Sequence, residues 1–295
     1  MHRVTRDQPL GRRALLLACA GAVGVSVVGC GPKPAQVQKP SLKWTKFRYG
    51  HAPEQFGQFG LPTREGPVAG TAVLIHGGGW SGGAYATSLF PLAGAMRRRG
   101  FAVWYLNYRG IGDGGEYPTI FEDIAAGCDH LQTLAQRPDL ADRELMGRVT
   151  AIGHSAGGHL ATWAASRRAE TPGGGPAYGF HTVYSLAGPL CFTQAASTKT
   201  LSDTVRALME GTPEQVPERY RLADPLALLP ASSPVVAYHG WRDTLVPIAM
   251  SERYVARARQ AGAPATFLPL DTTHAGILLW GTVELPKLIK PLPRQ

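Results

Sequence analysis

The stretch from 149 to 168 constrains this chain more than any other. A short apolar run at 149–152 meets Gly153-His154-Ser155-Ala156-Gly157, and a helical pattern follows at 158–168. A serine on so tight a strand-to-helix turn is pushed into an unfavourable backbone region, and the glycines on either side relieve the crowding. Its hydroxyl then stands clear at the carboxyl end of the strand. Gly-x-Ser-x-Gly alone says little in a chain with 36 glycines, where about 0.2 chance matches are expected. The strand before it and the helix after it give it meaning.

The same alternation continues along the chain. Apolar runs at 71–75, 101–106, 149–152, 182–186, 235–239 and 266–270 read as strands, and 43–49 as an edge strand. Helical patterns fall at 88–99, 119–135, 158–168 and 247–261, with a last helical stretch interrupted at Pro286. The run FAVWYL at 101–106 is apolar throughout, as in a parallel strand buried on both faces. Strands alternating with helices predict an α/β fold with a mostly parallel central sheet flanked by helices. A length of 295 residues admits two domains, yet residues 43–295 read as one. Residues 190–223 form the longest stretch without a strand.

Residues 1–29 read as an address. Arg3, Arg6, Arg12 and Arg13 precede an uncharged run at 14–28, the pattern of a signal peptide. Val27-Val28-Gly29-Cys30 resembles a bacterial lipobox, which would make Cys30 the lipidated end of a mature chain. A Pro-rich tether over 30–42 would then hold the domain off a membrane. The expected location is the outer face of the bacterial cell membrane, with a cleaved, secreted form as the alternative.

Composition narrows the function. With 44% hydrophobic and 17% charged residues, a disordered chain is excluded. Of the net charge of +9, residues 1–29 carry four Arg and one Asp, which leaves +6 on the rest. No basic cluster is interleaved with aromatics, and Arg97-Arg98-Arg99 reads as a solvated helix end, so nucleic acid is not an expected partner. Cys128 and Cys191 are either a disulfide or two buried thiols. No His/Cys cluster has zinc-ligand spacing, and no metal or cofactor is expected.

A serine hydroxyl needs a base, and the base needs an orienting acid. Among the histidines, His154 shares the serine's tight turn and is expected to point elsewhere. His159 and His130 lie on helices, and His51 in an early loop. His181 and His239 flank core strands, where a structural role is expected. His274 sits just past the last strand, at the carboxyl edge of the sheet, and is the best base. Asp243, in the loop after the strand at 235–239, is the best acid. Asp271 lies only three residues before His274, which suits a turn or cap better. The order Ser155, Asp243, His274 is the Ser…Asp…His order of α/β-hydrolases.

His76-Gly77-Gly78-Gly79-Trp80 follows another strand. Its glycines let backbone N–H groups approach a ligand. Gly77 and Gly78, with Ala156 after the serine, are the expected oxyanion-hole donors. Trp80 is expected to pack this loop or wall the substrate pocket.

These segments together resemble a known family. HGGGW (76–80), NYR (107–109), YP…FED (117–123), GHSAGGHLA (153–161), SLAG (185–188), HGWRDTLVP (239–247) and His274 occur in this order in α/β-hydrolase serine esterases. The resemblance is to the acetyl/feruloyl esterase-like and kynurenine-formamidase-like groups, near the hormone-sensitive-lipase branch. It implies a single-domain α/β-hydrolase fold, Ser155 as nucleophile, His274 as base, Asp243 as acid, and Gly77, Gly78 and Ala156 as oxyanion donors. It also implies that Asp123, Tyr108 and Arg109 are structural. The chain has too few residues before His76 for a large N-terminal cap, so residues 190–223 are the one lid segment and an open site is expected. The loop GIGDGGEYP after Arg109 departs from the family's usual continuation. The expected activity is that of a carboxylesterase on small acetyl or aryl esters, free or polymer-linked. An arylformamidase or amidase, or an inactive binding protein of the same fold, is the alternative.

Overall fold

Two edge-forming antiparallel strands lead into a run of six parallel ones. The computed structural model describes residues 42–83 and 86–289. Its strands are β1 (Thr45–Arg48), β2 (Phe56–Gly60), β3 (Thr71–Ile75), β4 (Ala102–Leu106), β5 (Val149–His154), β6 (Thr182–Leu186), β7 (Val235–Gly240) and β8 (Ala265–Leu270). They form one sheet in the order β1-β2-β4-β3-β5-β6-β7-β8, with β3 to β8 mutually parallel. The described residues belong to one compact unit, Ala35–Gln295. Residues 1–29 and Cys30, read above as signal and lipidation site, lie outside the described residues, as does most of the tether.

Burial follows from the sequence of the central strands. Every residue of β3 (TAVLI) and β4 (AVWYL) is buried. Alternate side chains point to opposite faces, so Val73 and Ile75 join one core while Ala72 and Leu74 join the other. The first core packs against α2 (Thr119–Ala135), α3 (Ala156–Ala164) and α7 (Ala249–Gln260) through Ile124, Leu131, Leu160, Trp163 and Tyr254. The second packs against α1 (Phe90–Arg98), α8 (Gly276–Val283) and α9 (Leu285–Leu288) through Leu92, Met96, Ile277 and Leu285. The helices therefore cover both faces, as a parallel sheet requires. The break expected at Pro286 falls at Glu284, between α8 and α9.

Three local features depart from the sequence reading. The strand β2 has the sequence FGQFG, whose glycines hide its strand character; it is held by antiparallel partners on both sides. Residues 190–223, the longest stretch without a strand, contain three short helices that no sequence pattern announces, α4 (Phe192–Ala195), α5 (Ser202–Met209) and α6 (Pro217–Ala223). Buried Asp224 ties the ends of this segment together, accepting from the N–H groups of Phe192, Thr193 and Leu226 at 2.8–3.0 Å. Arg97, expected to be solvated with its two neighbours, is only 3% exposed. Its Nε donates to the carbonyl of Leu61 at 2.7 Å and its guanidinium lies 4.4 Å from the Trp44 ring centroid. A guanidinium can be buried when carbonyls and a π-face receive it.

The structural roles implied for Arg109 and Asp123 are visible as a fork. Asp123 receives Arg109 Nη2 at 2.6 Å, Arg109 Nε at 2.9 Å and Gln55 Nε2 at 2.7 Å, which joins α2 to the loops flanking β2 and β4. Cys128 and Cys191 are free, buried thiols rather than a bridge. Among the described residues no helix is long and apolar enough to cross a membrane.

The strand order reverses at β3, whose neighbours are β4 on one side and β5 on the other. Such a switch point opens a crevice at the carboxyl ends of the strands. Ile75 pairs with Gly153 in the β3–β5 register, so the turn after Ile75 and the turn after His154 meet there.

Candidate active site

Ser155 stands where β5 becomes α3, with φ +55° and ψ −124°. Few non-glycine residues adopt that conformation, and the surroundings must enforce it. The enforcement is steric and polar. A Cβ on Gly157 would collide with the carbonyls of Ile75 and His76, so only glycine permits α3 to start so close to β3. The Ser155 N–H donates to Leu186 O at 2.8 Å, and its carbonyl accepts the N–H of Gly158 at 2.8 Å. Ser155 is 8% exposed.

The glycine loop after β3 lies against this turn. An added Cβ on Gly77 would sit 3.0 Å from Ser155 Cβ and 2.6 Å from His154 O. The N–H groups of Gly77, Gly78 and Ala156 donate to no other group among the described residues. Free N–H donors on the two turns that meet beside a serine are what a developing oxyanion needs. Trp80 closes the loop. It is 1% exposed, its Nε1 donates to His159 Nδ1 at 3.1 Å, and its ring meets Phe192 edge-on at 5.4 Å. These contacts give Trp80 the first of its expected roles, packing the loop. Burial also takes His159 down to about 3, which keeps it neutral as an acceptor for Trp80 and a donor to Ala223 O.

Asp243 and His274 come from the loops after β7 and β8, which are parallel neighbours. His274 Nδ1 donates to Asp243 Oδ2 at 2.7 Å. The carboxylate is fully enclosed and its Oδ1 accepts the N–H groups of Leu245 and Val246 at 2.9 Å each. Burial alone would raise Asp243. Hydrogen bonds from His239, His274 and the Val246 N–H outweigh it, and the carboxyl is held well below the usual carboxylate range. The rival, Asp271, turns outward: its side chain is 85% exposed and pairs with Arg242 at 3.0 Å.

The structure therefore brings Asp243 and His274 into direct contact, and it brings Gly77 and Ala156 against Ser155. Among the described residues no hydrogen bond joins Ser155 Oγ to His274 Nε2. Such contacts often tighten only once substrate is bound. Two histidines escaped the sequence reading. His154 was expected to point away. Where it points is to the backbone carbonyl of His274, to which its Nε2 donates at 3.0 Å, with the two rings 4.8 Å apart. Burial, and then the nearness of His274, lowers His154 to about 4, so it stays neutral. His239, read as a core residue, lies against Asp243. The signal was its place four residues before Asp243, at the end of the same strand. Among the described residues no group of three or more His, Cys, Asp or Glu could hold a metal ion.

Comparisons with known proteins agree with this architecture. A truncated carbohydrate esterase from gut microbiota superposes with a TM-score of 0.71 at 17% identity, covering 85% of this chain and 98% of its own. Esterase B from Lactobacillus rhamnosis gives 0.69 at 18% identity, over 83% and 84% of the two chains. A bifunctional GH43-CE protein from Bacteroides eggerthii gives 0.70 at 21% identity over 83% of this chain, which spans only 37% of that larger protein's length. At these identities the likeness is one of fold. No curated protein sequence matches the chain significantly. The BD-FAE family model matches residues 59–257, well over half the chain, from within β2 into α7. With that match, an eight-stranded hydrolase sheet and a serine on its strand-to-helix turn, the chain belongs to the BD-FAE family of esterase-like α/β-hydrolases.

Proposed function

We propose that this chain is a serine carboxylesterase that cleaves small acetyl or aryl esters through an acyl-enzyme. The observation that carries this reading is the enclosed Asp243 carboxylate bound to His274 Nδ1 at 2.7 Å, at the same sheet edge as a serine held at φ +55°. In the proposed cycle, Ser155 Oγ attacks the acyl carbon as His274 Nε2 accepts its proton. The oxyanion is held by the N–H groups of Gly77, Gly78 and Ala156, and Asp243 stays anionic to stabilise the imidazolium. His274 then protonates the leaving alcohol. Water, deprotonated by His274, attacks the acyl carbon and returns Ser155 with the free acid. Every step uses groups of this chain.

Two solved structures of the same fold are described as a carbohydrate esterase and as esterase B, which supports an ester rather than an amide or formamide as substrate. The basic, apolar and small-residue succession over 3–30 supports export and lipid attachment at Cys30, where polymer-linked esters would be met. A fluorophosphonate probe should label the wild-type chain and spare Ser155→Ala; equal labelling of both overturns the nucleophile. Faster turnover of p-nitrophenyl acetate than of N-formylkynurenine is expected, and the reverse would make the chain a formamidase. Cys30→Ala should abolish incorporation of radiolabelled palmitate.

A further inference from the structure

His239 is completely buried, and its two ring nitrogens face different partners. Nε2 lies 3.0 Å from Val246 O and 3.2 Å from Asp243 Oδ2. Both are acceptors, so Nε2 carries the hydrogen and shares it between them. Nδ1 lies 2.8 Å from Ser251 Oγ on the first turns of α7. A hydroxyl either donates or accepts, so Ser251 satisfies Nδ1 in either protonation state of the ring. A histidine there only to fill the core would be satisfied by Val246 O and Ser251. The third contact falls on Asp243 Oδ2, the same oxygen that holds His274 Nδ1. Asp243 Oδ1 is already occupied by two backbone N–H groups.

We propose that His239, backed by Ser251, is a positioning residue of the acyl-transfer site: it fixes the Asp243 carboxylate and, by sharing Oδ2, sets how strongly that carboxylate holds the proton of His274. This rests on the carboxylesterase reading above. An oxygen that accepts from two imidazoles offers each less negative charge than it would offer one. His274 therefore gives up its proton to the leaving alcohol more readily than it would beside a carboxylate of its own. The other groups facing this pair are few. Neutral His154 approaches His274 from the last position of β5, and Ser155 follows it. The Arg242–Asp271 pair lies in solvent, with side chains 64% and 85% exposed.

The test compares His239→Leu, which removes the donor, with His239→Gln, whose amide reaches the Nε2 position and keeps one. In His239→Leu the acid limb of kcat/KM should move to higher pH by about half a unit or more, because Oδ2 now serves His274 alone. The same variant should lose about tenfold in kcat with KM little changed, from the loosened carboxylate. His239→Gln should recover most of kcat. A folded His239→Leu with an unmoved or lowered acid limb and kcat within about twofold of wild type overturns the proposal. So does a Gln variant as impaired as Leu. If His239→Leu does not fold, Ser251→Ala replaces it, with a smaller shift of the acid limb in the same direction expected and no shift again overturning. The downfield proton resonance of His274 Nδ1–H reads the contact without substrate. It should move in His239→Leu and stay near its wild-type position in His239→Gln even if no ester is turned over, which separates failure of this inference from failure of the esterase reading.

Discussion

The turns after β3 and β5 and the loops after β7 and β8 meet at one sheet edge, yet they are held by different forces. Around Ser155 the structure is backbone: a residue at φ +55°, glycines admitting a close approach, and N–H groups left free. Around Asp243 it is side chain: one enclosed carboxylate receiving two imidazoles, with a third imidazole pinning the His274 carbonyl. In the first half burial keeps the flanking imidazoles of His76 and His154 neutral, and Gly77 and Gly157 have no room for a methyl. The second is built on the carboxylate and imidazoles that take part in proton transfer. Sensitivity to added carbon and sensitivity to pH should therefore separate along the edge.

Removing the nucleophile sets the scale. Ser155→Ala should lower kcat for p-nitrophenyl acetate by about 10⁴-fold or more, and a residual rate within tenfold of wild type would end the comparison at its root. Asp243→Asn probes the side-chain half at nearly the same cost. An amide turned toward His274 Nδ1 favours the wrong tautomer, and a loss of about 10⁴-fold in kcat is expected. A burst assay with a chromogenic ester would show acylation itself slowed.

The backbone half is sharpened by Gly77→Ala. The new methyl would lie 2.6 Å from His154 O and must displace the loop carrying the N–H donors. A loss of about 10²-fold in kcat, with the shape of the pH profile unchanged, is the expected signature. A shifted acid limb instead would show that the two halves are not independent.

His154→Phe is the mildest change and reads the side-chain half through pH. It keeps a ring but loses the donor to His274 O, for an expected loss of about tenfold in kcat. Its effect on stability has a definite sign. Burial holds His154 near 4 in the folded chain, against about 6.5 when unfolded. Between those values the unfolded chain binds a proton that the folded chain does not, so stability is complete above about 6.5 and falls as pH drops toward 4. Removing the imidazole should flatten that fall by up to about 1.4 kcal/mol per pH unit. Melting temperatures of the two proteins at pH 7 and pH 5 would check it.

The two halves also differed in how far they could be read from the chain. Glycine runs at 77–79 and around Ser155 are contiguous, and each carries its own strand on one side, so nucleophile and oxyanion loop were legible together. Asp243 and His274 were found by their positions after strands, and Asp271 was set aside because of its closeness to His274. The structure gives the physical reason: Asp271 turns out to Arg242 while Asp243 turns in. His154 could not be assigned because nothing local tells a buried imidazole which distant carbonyl it will meet, whereas His239 carried a local signal, its place four residues before Asp243. Arg97 and the strand FGQFG were misjudged for the same reason, since their partners lie elsewhere in the chain.

By itself, the sequence determined the alternation of strands and helices, the parallel sheet and the serine turn, because short-range sterics and periodic burial act within a few residues. Only the tertiary structure decided which oxygen of Asp243 is shared, which carbonyl His154 holds, and that Trp80 is sealed inside its loop. Those choices depend on hydrogen-bond geometry between segments up to 120 residues apart, which no local pattern encodes.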